Sequence, residues 1–360
     1  MTHYLMPVGP LHVALEEPMY FKLEVSGETI RGLEINAGHV HRGIEYLAMK
    51  RNFYQNITLT ERVCSLCSNS HPTTYLMALE EIAGIQVPER GQYLRVIADE
   101  TKRVASNLFN VGILAHIVGF SSLFMHVMEV REIMQDVKET IYGNRMDLGA
   151  NCIGGVKYDL DEERAAFLKS RLAELRTAID EIRRIYASDS SILLRTRGIG
   201  ALSKEDALEY GLIGPVARGS GVAYDVRKNA PYAVYHQLEF PLHTRTDGDV
   251  WSRAMVRLDE ARTALEIIAQ CLDKMPEGPV SIGGLPEIPA GEAVAKTEAP
   301  RGELIYYLRT NGSDVPERLK WRVPSYHNWG ALPLMMAGNR ISDVALIVNS
   351  IDPCISCTER

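Results

Sequence analysis

The chain has 360 residues, 46% of them apolar, enough to bury a large core as one big domain or two smaller ones. Its 39 basic and 46 acidic residues leave a net charge of −7, and the positive charge is dispersed without a Lys/Arg run, so no footprint for nucleic acid is present. Six cysteines are too few for a secreted disulfide scaffold, and their arrangement as two x-x-spaced couples plus lone Cys152 and Cys271 fits a reducing compartment.

The start, Met-Thr-His-Tyr-Leu-Met-Pro, carries no charged stretch followed by an apolar one, so no signal peptide is expected. Residues 20–36 alternate: Phe21, Leu23 and Val25 precede Ser26-Gly27-Glu28, and Ile30, Leu33 and Ile35 follow. That pattern predicts a β-hairpin with glycine at its turn. From about Gln55 the texture turns helical. Pro72 can open a helix running to about Ala83, with Gly84 as its C-terminal cap. Pro88 opens another that puts Tyr93, Val96, Ile97 and Val104 on one side and Arg90, Lys102 and Arg103 elsewhere. Residues 109–128 come nearest to a membrane span, but Asn110, Gly112, His116, Gly119, Ser121, Ser122 and His126 interrupt them. They read as buried helix rather than lipid-facing helix.

Further helices are predicted at 121–142, 161–187, 203–210 and 249–274. Residues 188–247 and 276–302, the latter with five Pro and five Gly, read as irregular connections of the kind that are often functional. The expected fold is α+β and predominantly α, with a small N-terminal β-sheet within 1–54 on a large helical-bundle body over 55–360. All of 1–360 is expected to form one domain whose C-terminal segment binds metal.

Two Cys-x-x-Cys pairs stand at opposite ends, Cys64-Ser-Leu-Cys67 and Cys354-Ile-Ser-Cys357, with 286 residues between Cys67 and Cys354. If the fold joins them, four thiolates converge on a site suited to a thiophilic transition metal. Structural zinc is the commonest use of four cysteines, though its pairs usually lie closer in sequence. Iron–sulfur ligands are commonly clustered as well. A thioredoxin-like dithiol needs one pair in a βαβ context, which is missing here. Spacing alone leaves structural zinc and a catalytic metal both open.

The flanking residues are more specific. Arg62-Val-Cys64-Ser-Leu-Cys67-Ser-Asn-Ser-His71 and Asp352-Pro-Cys354-Ile-Ser-Cys357-Thr-Glu-Arg360 resemble the two signature motifs of nickel–iron hydrogenase large subunits, R-x-C-G-x-C-x-x-x-H and D-P-C-x-x-C-x-x-H/R. Glu298-Ala-Pro300-Arg301-Gly302 resembles the family's E-A-P-R-G segment, Val323-Pro-Ser325 its V-P-S/T, and Arg42-Gly-Ile-Glu45 its R-G-x-E. The matches run from about Gly9 to Arg360. The Gly9-Pro-Leu-His12 start, His41 before Arg42 and the terminal arginine are similar to the membrane-associated, energy-converting group, nearest to its CO-induced members. That group also resembles the quinone-site subunit of respiratory complex I, which lacks the cysteine pairs.

The resemblance implies a catalytic subunit that interconverts dihydrogen with protons and electrons at a Ni–Fe centre whose iron carries CO and cyanide. Cys64 and Cys354 would be terminal nickel ligands, and Cys67 and Cys357 would bridge nickel to iron. Cys354 would be the base in heterolytic cleavage and Glu17 the proton relay, with neighbouring Glu16 easily confused for it. Arg301 would lie over the open metal position, with Pro300 helping to close the pocket. Ser325 would donate to a cyanide, His71 would temper a bridging thiolate, and Arg62 would support the site from behind. Ser65 replaces the family's usual glycine. Relatives ending in His use it with the R-G-x-E glutamate to hold an ion. Arg360 cannot ligate metal, so it is expected to pair with Glu45 instead. A C-terminal extension of the kind relatives remove is either already cleaved or never encoded. Cys152, Cys271 and His39 receive no role.

No cysteines remain for an iron–sulfur chain, so such clusters are expected only in partners: an iron–sulfur small subunit, further cluster-bearing electron-transfer subunits and integral membrane subunits that couple the reaction to ion movement. A ferredoxin-type or CO dehydrogenase-linked donor would supply electrons. The subunit itself would sit peripherally on the cytoplasmic face of the membrane with no transmembrane segment. A metal-free quinone-site subunit and a structural four-cysteine zinc protein are the rival readings.

Overall fold

The computed structural model describes residues 3–12, 15–284 and 286–360; the first two residues of the start read for a signal segment lie outside this range. Strands His3–Val8, Tyr20–Ser26 and Thr29–Asn36 form an antiparallel sheet in that order. The second and third make the expected hairpin, with Phe21 opposite Ile35, Leu23 opposite Leu33, and Gly27 at positive φ in the turn. Alternation sends Phe21, Leu23 and Val25 into the core.

The body is helical. Glu162–Ser188 buries Leu168, Leu172, Leu175, Ile179, Ile182 and Tyr186, one stripe at helical spacing, and Asp161 caps it by accepting the Arg164 N–H at 2.8 Å. Val250–Lys274 is capped in the same way by Asp249, which accepts from Ser252 at 2.7 Å. The helix read from Pro72 begins two residues earlier, as Ser70–Ala83, and ends at Gly84 as expected. Residues 109–128 are not one buried helix. Gly119 ends Glu89–Val118 in a left-handed conformation, Ser121–Tyr142 then begins, and Met125 on it is 65% exposed. Among the described residues, no helix is long and apolar enough to cross a membrane.

Arg90, Lys102 and Arg103, which lie off the apolar side of Glu89–Val118, are buried as well. Each is satisfied inside: Arg90 by Asp159, Arg103 by Glu100 at 3.0 Å, and Lys102 by two carbonyls. The connection 188–247 is punctuated by short helices, Ser190–Thr196, Gly214–Gly219 and Val226–Asn229 besides the expected one. The stretch 276–302 ends in a strand. Ala290–Ala299, Gly302–Asn311 and Arg318–Arg322 form a second antiparallel sheet that packs on Ser70–Ala83. Glu298-Ala-Pro-Arg-Gly is therefore a tight β-turn connection, and it holds Arg301 at the end of two paired strands.

Candidate metal centre

Each cysteine pair lies where one helix ends and the next begins. Cys64 and Cys67 lie between Phe53–Glu61 and Ser70–Ala83; Cys354 and Cys357 follow Val344–Ser350 and enter Ile355–Glu359. The fold brings the four sulfurs within 4.8 Å of one another. Arg42 ties the two segments together, because its guanidinium donates to the Val63 carbonyl at 2.8 Å and the Ser356 carbonyl at 3.1 Å. Lys102 holds the first pair from behind, with its ammonium donating to the Ser65 carbonyl at 2.7 Å and the Met146 carbonyl at 2.6 Å.

The two cysteines of each pair are not equivalent. Cys64 and Cys354 line a cavity of about 540 Å³ together with Glu16, Glu17, Arg42 and Arg301. Cys67 and Cys357 lie behind them, buried, with their sulfurs 3.6 Å apart. His71 Nε2 lies 3.2 Å from the Cys357 sulfur, and its Nδ1 is 2.7 Å from the Tyr306 hydroxyl. Tyr306 in turn stacks on Trp321, with centroids 5.2 Å apart. This second interaction fixes the imidazole toward the sulfur. Four crowded thiols cannot all ionise unaided. Hydrogen bonds from Cys354, Cys357 and Cys64 hold Cys67 well below the ordinary thiol range, while burial and then Cys354 push Cys357 well above it. A bound cation is what lets all four become thiolates, and the sulfur donor set fits a soft transition metal.

Arg301 is 3% exposed. Its Nε donates to the Asp352 carbonyl at 2.8 Å and its Nη2 to Asp352 Oδ1 at 2.7 Å, which leaves Nη1 without a hydrogen-bond partner among the described residues. Burial opposes its charge, but Asp352 and the thiolates of Cys354, Cys67 and Cys64 keep it firmly protonated. Gly214, at φ +67, packs against this turn, where a Cβ would come 2.0 Å from the Arg301 carbonyl oxygen. Pro300 is buried in the same turn and is not among the cavity-lining residues. Ser325 Oγ accepts the Cys354 N–H at 2.9 Å, next to the second pair.

Glu17 accepts the Ser356 N–H at 2.8 Å and also the Ser356 hydroxyl, and burial raises its pKa above the usual carboxylate range against those bonds and Arg301. Glu16 keeps a face toward solvent, yet its carboxyl is pushed up to about 7, by burial first, then Asp352 and Glu17, with Arg301 opposing. Both glutamates therefore stand at the cavity. Arg62, 56% exposed, reaches outward to Asp147 at 2.9 Å at the cavity rim. Arg360 Nε donates to Glu45 Oε1 at 2.7 Å, and Glu45 Oε1 also accepts the Trp321 N–H at 3.3 Å. Arg42, Lys102, Tyr306, Trp321 and Asp352 were given no site role from sequence. Only Arg42 and Asp352 carried a signal, as members of matched motifs.

Residues 42–111 match the family described as nickel-dependent hydrogenase. Residues 118–284 and 283–360 match the 49 kDa subunit of the respiratory-chain NADH dehydrogenase. The chain is 69% identical to a carbon monoxide-induced hydrogenase of Rhodospirillum rubrum over all of both chains. It is 37% identical to the membrane-bound hydrogenase subunit alpha of Pyrococcus furiosus, with 99% of this chain and 87% of that one aligned. A subunit of the membrane-bound sulfane sulfur reductase, an archaeal respiratory membrane complex, superposes with a TM-score of 0.94 at 32% identity, covering 99% of this chain and 98% of that one.

Proposed function

Because this chain belongs to the membrane-bound nickel-dependent hydrogenases, in the family shared with the 49 kDa subunit of respiratory NADH dehydrogenase, and is a hydrogenase catalytic subunit, we propose how its residues divide the work. Cys64, Cys67, Cys354 and Cys357 would hold a Ni–Fe centre with CO and cyanide on its iron, Cys64 and Cys354 serving as nickel ligands and the buried Cys67 and Cys357 as the shared ones. When bound, that centre supplies the redox chemistry that interconverts dihydrogen with two protons and two electrons. The observation that carries this reading is the meeting of four sulfurs within 4.8 Å beside a cavity that two of them line. A structural zinc site is closed on all sides; this one keeps an open approach with Arg301 over it.

The chain's own groups handle the proton and the charge. The Cys354 sulfur takes up the proton at the cavity face. Glu17, anchored on Ser356 between Cys354 and Cys357, passes it outward. Arg301 gives a fixed positive charge to the open side, oriented by Asp352. His71 offers a hydrogen bond that lowers charge on the Cys357 sulfur, and the Ser325 hydroxyl stands ready to donate to a cyanide. The Arg360–Glu45 pair takes the place of an ion and fastens residues 355–360 over the site.

With six cysteines, four of them in the metal site, electrons must pass through a partner carrying iron–sulfur clusters. Further cluster-bearing and integral membrane subunits complete a membrane complex with this subunit peripheral on the cytoplasmic face, fed by a ferredoxin-type or CO dehydrogenase-linked donor. Residues 1–360 act as one domain. A quinone-site role, suggested by the 49 kDa match, does not need four cysteines. Elemental analysis of the anaerobically purified complex decides between them. About one nickel per chain, lost in Cys64→Ser and Cys357→Ser, is expected; zinc without nickel, or no metal in the mature complex, overturns the reading.

A further inference from the structure

Two arginines of the Val250–Lys274 helix, Arg253 and Arg257, stand one turn apart and are both fully buried. Both reach the stretch that follows Val344–Ser350 and leads into the second cysteine pair. Arg253 Nε donates to Ser350 Oγ at 3.0 Å, while its Nη1 and Nη2 donate to the Gly248 carbonyl at 2.6 Å and the Gly200 carbonyl at 3.0 Å. Arg257 Nε lies 4.0 Å from Asp352 Oδ2, an oxygen that accepts no hydrogen bond from any described residue. Burial lowers the Arg257 pKa to about 10, with Asp352 and then Glu260 opposing, and burial lowers that of Arg253 to about 9, so both stay charged at neutral pH. Charged side chains are costly in a core, and apolar residues of similar volume often replace them there without loss of stability. Stability alone therefore gives no reason for two arginines at these positions. The stretch they reach does.

Asp352 is the residue that needs holding. It sits at φ +56, a left-handed conformation that a residue other than glycine keeps only where its surroundings over-determine it. Its N–H donates to the Asn349 carbonyl at 3.0 Å, and Asn110 Nδ2 fixes that same carbonyl at 2.9 Å. Its carboxylate is shared between two arginines: Oδ1 accepts from Arg301 at 2.7 Å, and Oδ2 faces Arg257. Two residues on stands Cys354, and the ring of Pro353 between them fixes a backbone torsion, so a rotation at Asp352 carries over to the cavity-facing sulfur. We infer that Arg257 is a positioning residue for the reaction: acting through Asp352, with Arg253 steadying Ser350, it sets both the direction of Arg301 and the placement of Cys354. The charge at position 257 is what matters. Without it, Asp352 is free to turn both oxygens to Arg301 in a bidentate pair and draw the guanidinium off the cavity.

The inference rests on the hydrogenase reading of the cysteine site, and the test separates the two. Wild type, Arg257→Met, Arg257→Lys, Asp352→Asn and the double variant Arg257→Met/Asp352→Asn are compared in the intact, anaerobically purified complex. Nickel content, kcat and KM for dihydrogen, and the density of Arg301 and residues 350–354 are measured for each. Expected are nickel retained throughout and kcat lowered about tenfold to a hundredfold in Arg257→Met at unchanged KM. Arg257→Lys should recover toward wild type, and the double variant should be no slower than Asp352→Asn alone. Density for Arg257→Met should show Arg301 and Asp352 reoriented together. Losses that multiply in the double variant, or a wild-type kcat in Arg257→Met, overturn the inference. If Arg257→Met fails to assemble, the wild-type density decides: Arg257 on Asp352, directly or through one water, with Asp352 at positive φ, upholds it, and any other placement overturns it. A wild-type complex without nickel or hydrogen turnover would instead refute the hydrogenase reading, while the densities still test the positioning.

Discussion

The Arg360–Glu45 pair yields a test whose magnitude follows from its setting. The two side chains are 23% and 20% exposed and meet at 2.7 Å. Fully exposed pairs contribute roughly 0–1 kcal/mol, and breaking a fully buried one costs about 3–5 kcal/mol, so this intermediate case should lie at about 1–3 kcal/mol. Glu45→Gln removes the charge but keeps an oxygen to accept the Trp321 N–H. The C-terminal segment should then be released about 5–150-fold more often. Amide hydrogen exchange of residues 355–360, followed anaerobically in the intact complex by mass spectrometry, reads that release directly. Exchange there should accelerate by a factor in this range in Glu45→Gln and return toward the wild-type rate in the charge-swapped Glu45→Arg/Arg360→Glu protein. Equal exchange rates in wild type and Glu45→Gln, or protection that depends on added magnesium, would refute the reasoning.

Three other substitutions probe the scaffold. Gly214→Ala places a Cβ 2.0 Å from the Arg301 carbonyl oxygen at a positive φ, so it should cost about 1–3 kcal/mol and lower turnover with nickel retained; unchanged turnover would show that the Arg301 turn tolerates displacement. Lys102→Met leaves the Ser65 and Met146 carbonyls unpaired and should destabilise the site by about 1–3 kcal/mol, measured as faster nickel loss to chelator. Burial first raises Asp99 to about 7, against hydrogen bonds from Asn69 and Thr73. A folded-state pKa above the unfolded one means its contribution is complete below about pH 4 and is lost as pH rises through about 7. Asp99→Asn should therefore gain stability relative to wild type between these limits, by about 4 kcal/mol at most, in thermal melts of the complex across pH 4–8; parallel curves would contradict the assignment.

What could be read from the sequence was what local chemistry encodes. The hairpin at 20–36 alternates visibly, and Asp161 and Asp249 announce the helices they cap. The cysteine pairs stood out because their flanks carry the same residue types as a known site. The second sheet was hidden for a physical reason. In Ala290–Ala299 the inward positions are Ala293, Ala295 and Thr297, small enough to let the strand lie close on Ser70–Ala83, so no apolar alternation marks it. The buried charges of Glu89–Val118 were hidden too, because what satisfies them is remote in sequence. Arg103 donates to the Glu298 and Ala299 carbonyls, and Arg95 pairs with Glu80. From sequence alone, such a helix looks like one with an ordinary solvated face.

Those hidden partners decide where Arg301 stands. Arg103 grips the two carbonyls just before Pro300, Gly214 presses on the carbonyl of Arg301 itself, and Asp352 takes two of its nitrogens. Asp352 also precedes Pro353 and Cys354, so one residue couples the position of the guanidinium to that of the cavity-facing sulfur. This makes the asymmetry of the four cysteines a property of the scaffold rather than of any bound ion. Cys67 and Cys357 are packed with His71 behind the site, whereas Cys64 and Cys354 face the cavity that Arg301 also lines. Of the two facing sulfurs, Cys354 is the one whose own segment carries the arginine's partner, while Cys64 is held through Arg42 and Lys102 at the backbone on either side of it. Cys354 thus belongs to the segment that anchors both Glu17, through Ser356, and Arg301, through Asp352, and that placement is our argument for proposing Cys354 over Cys64 as the base.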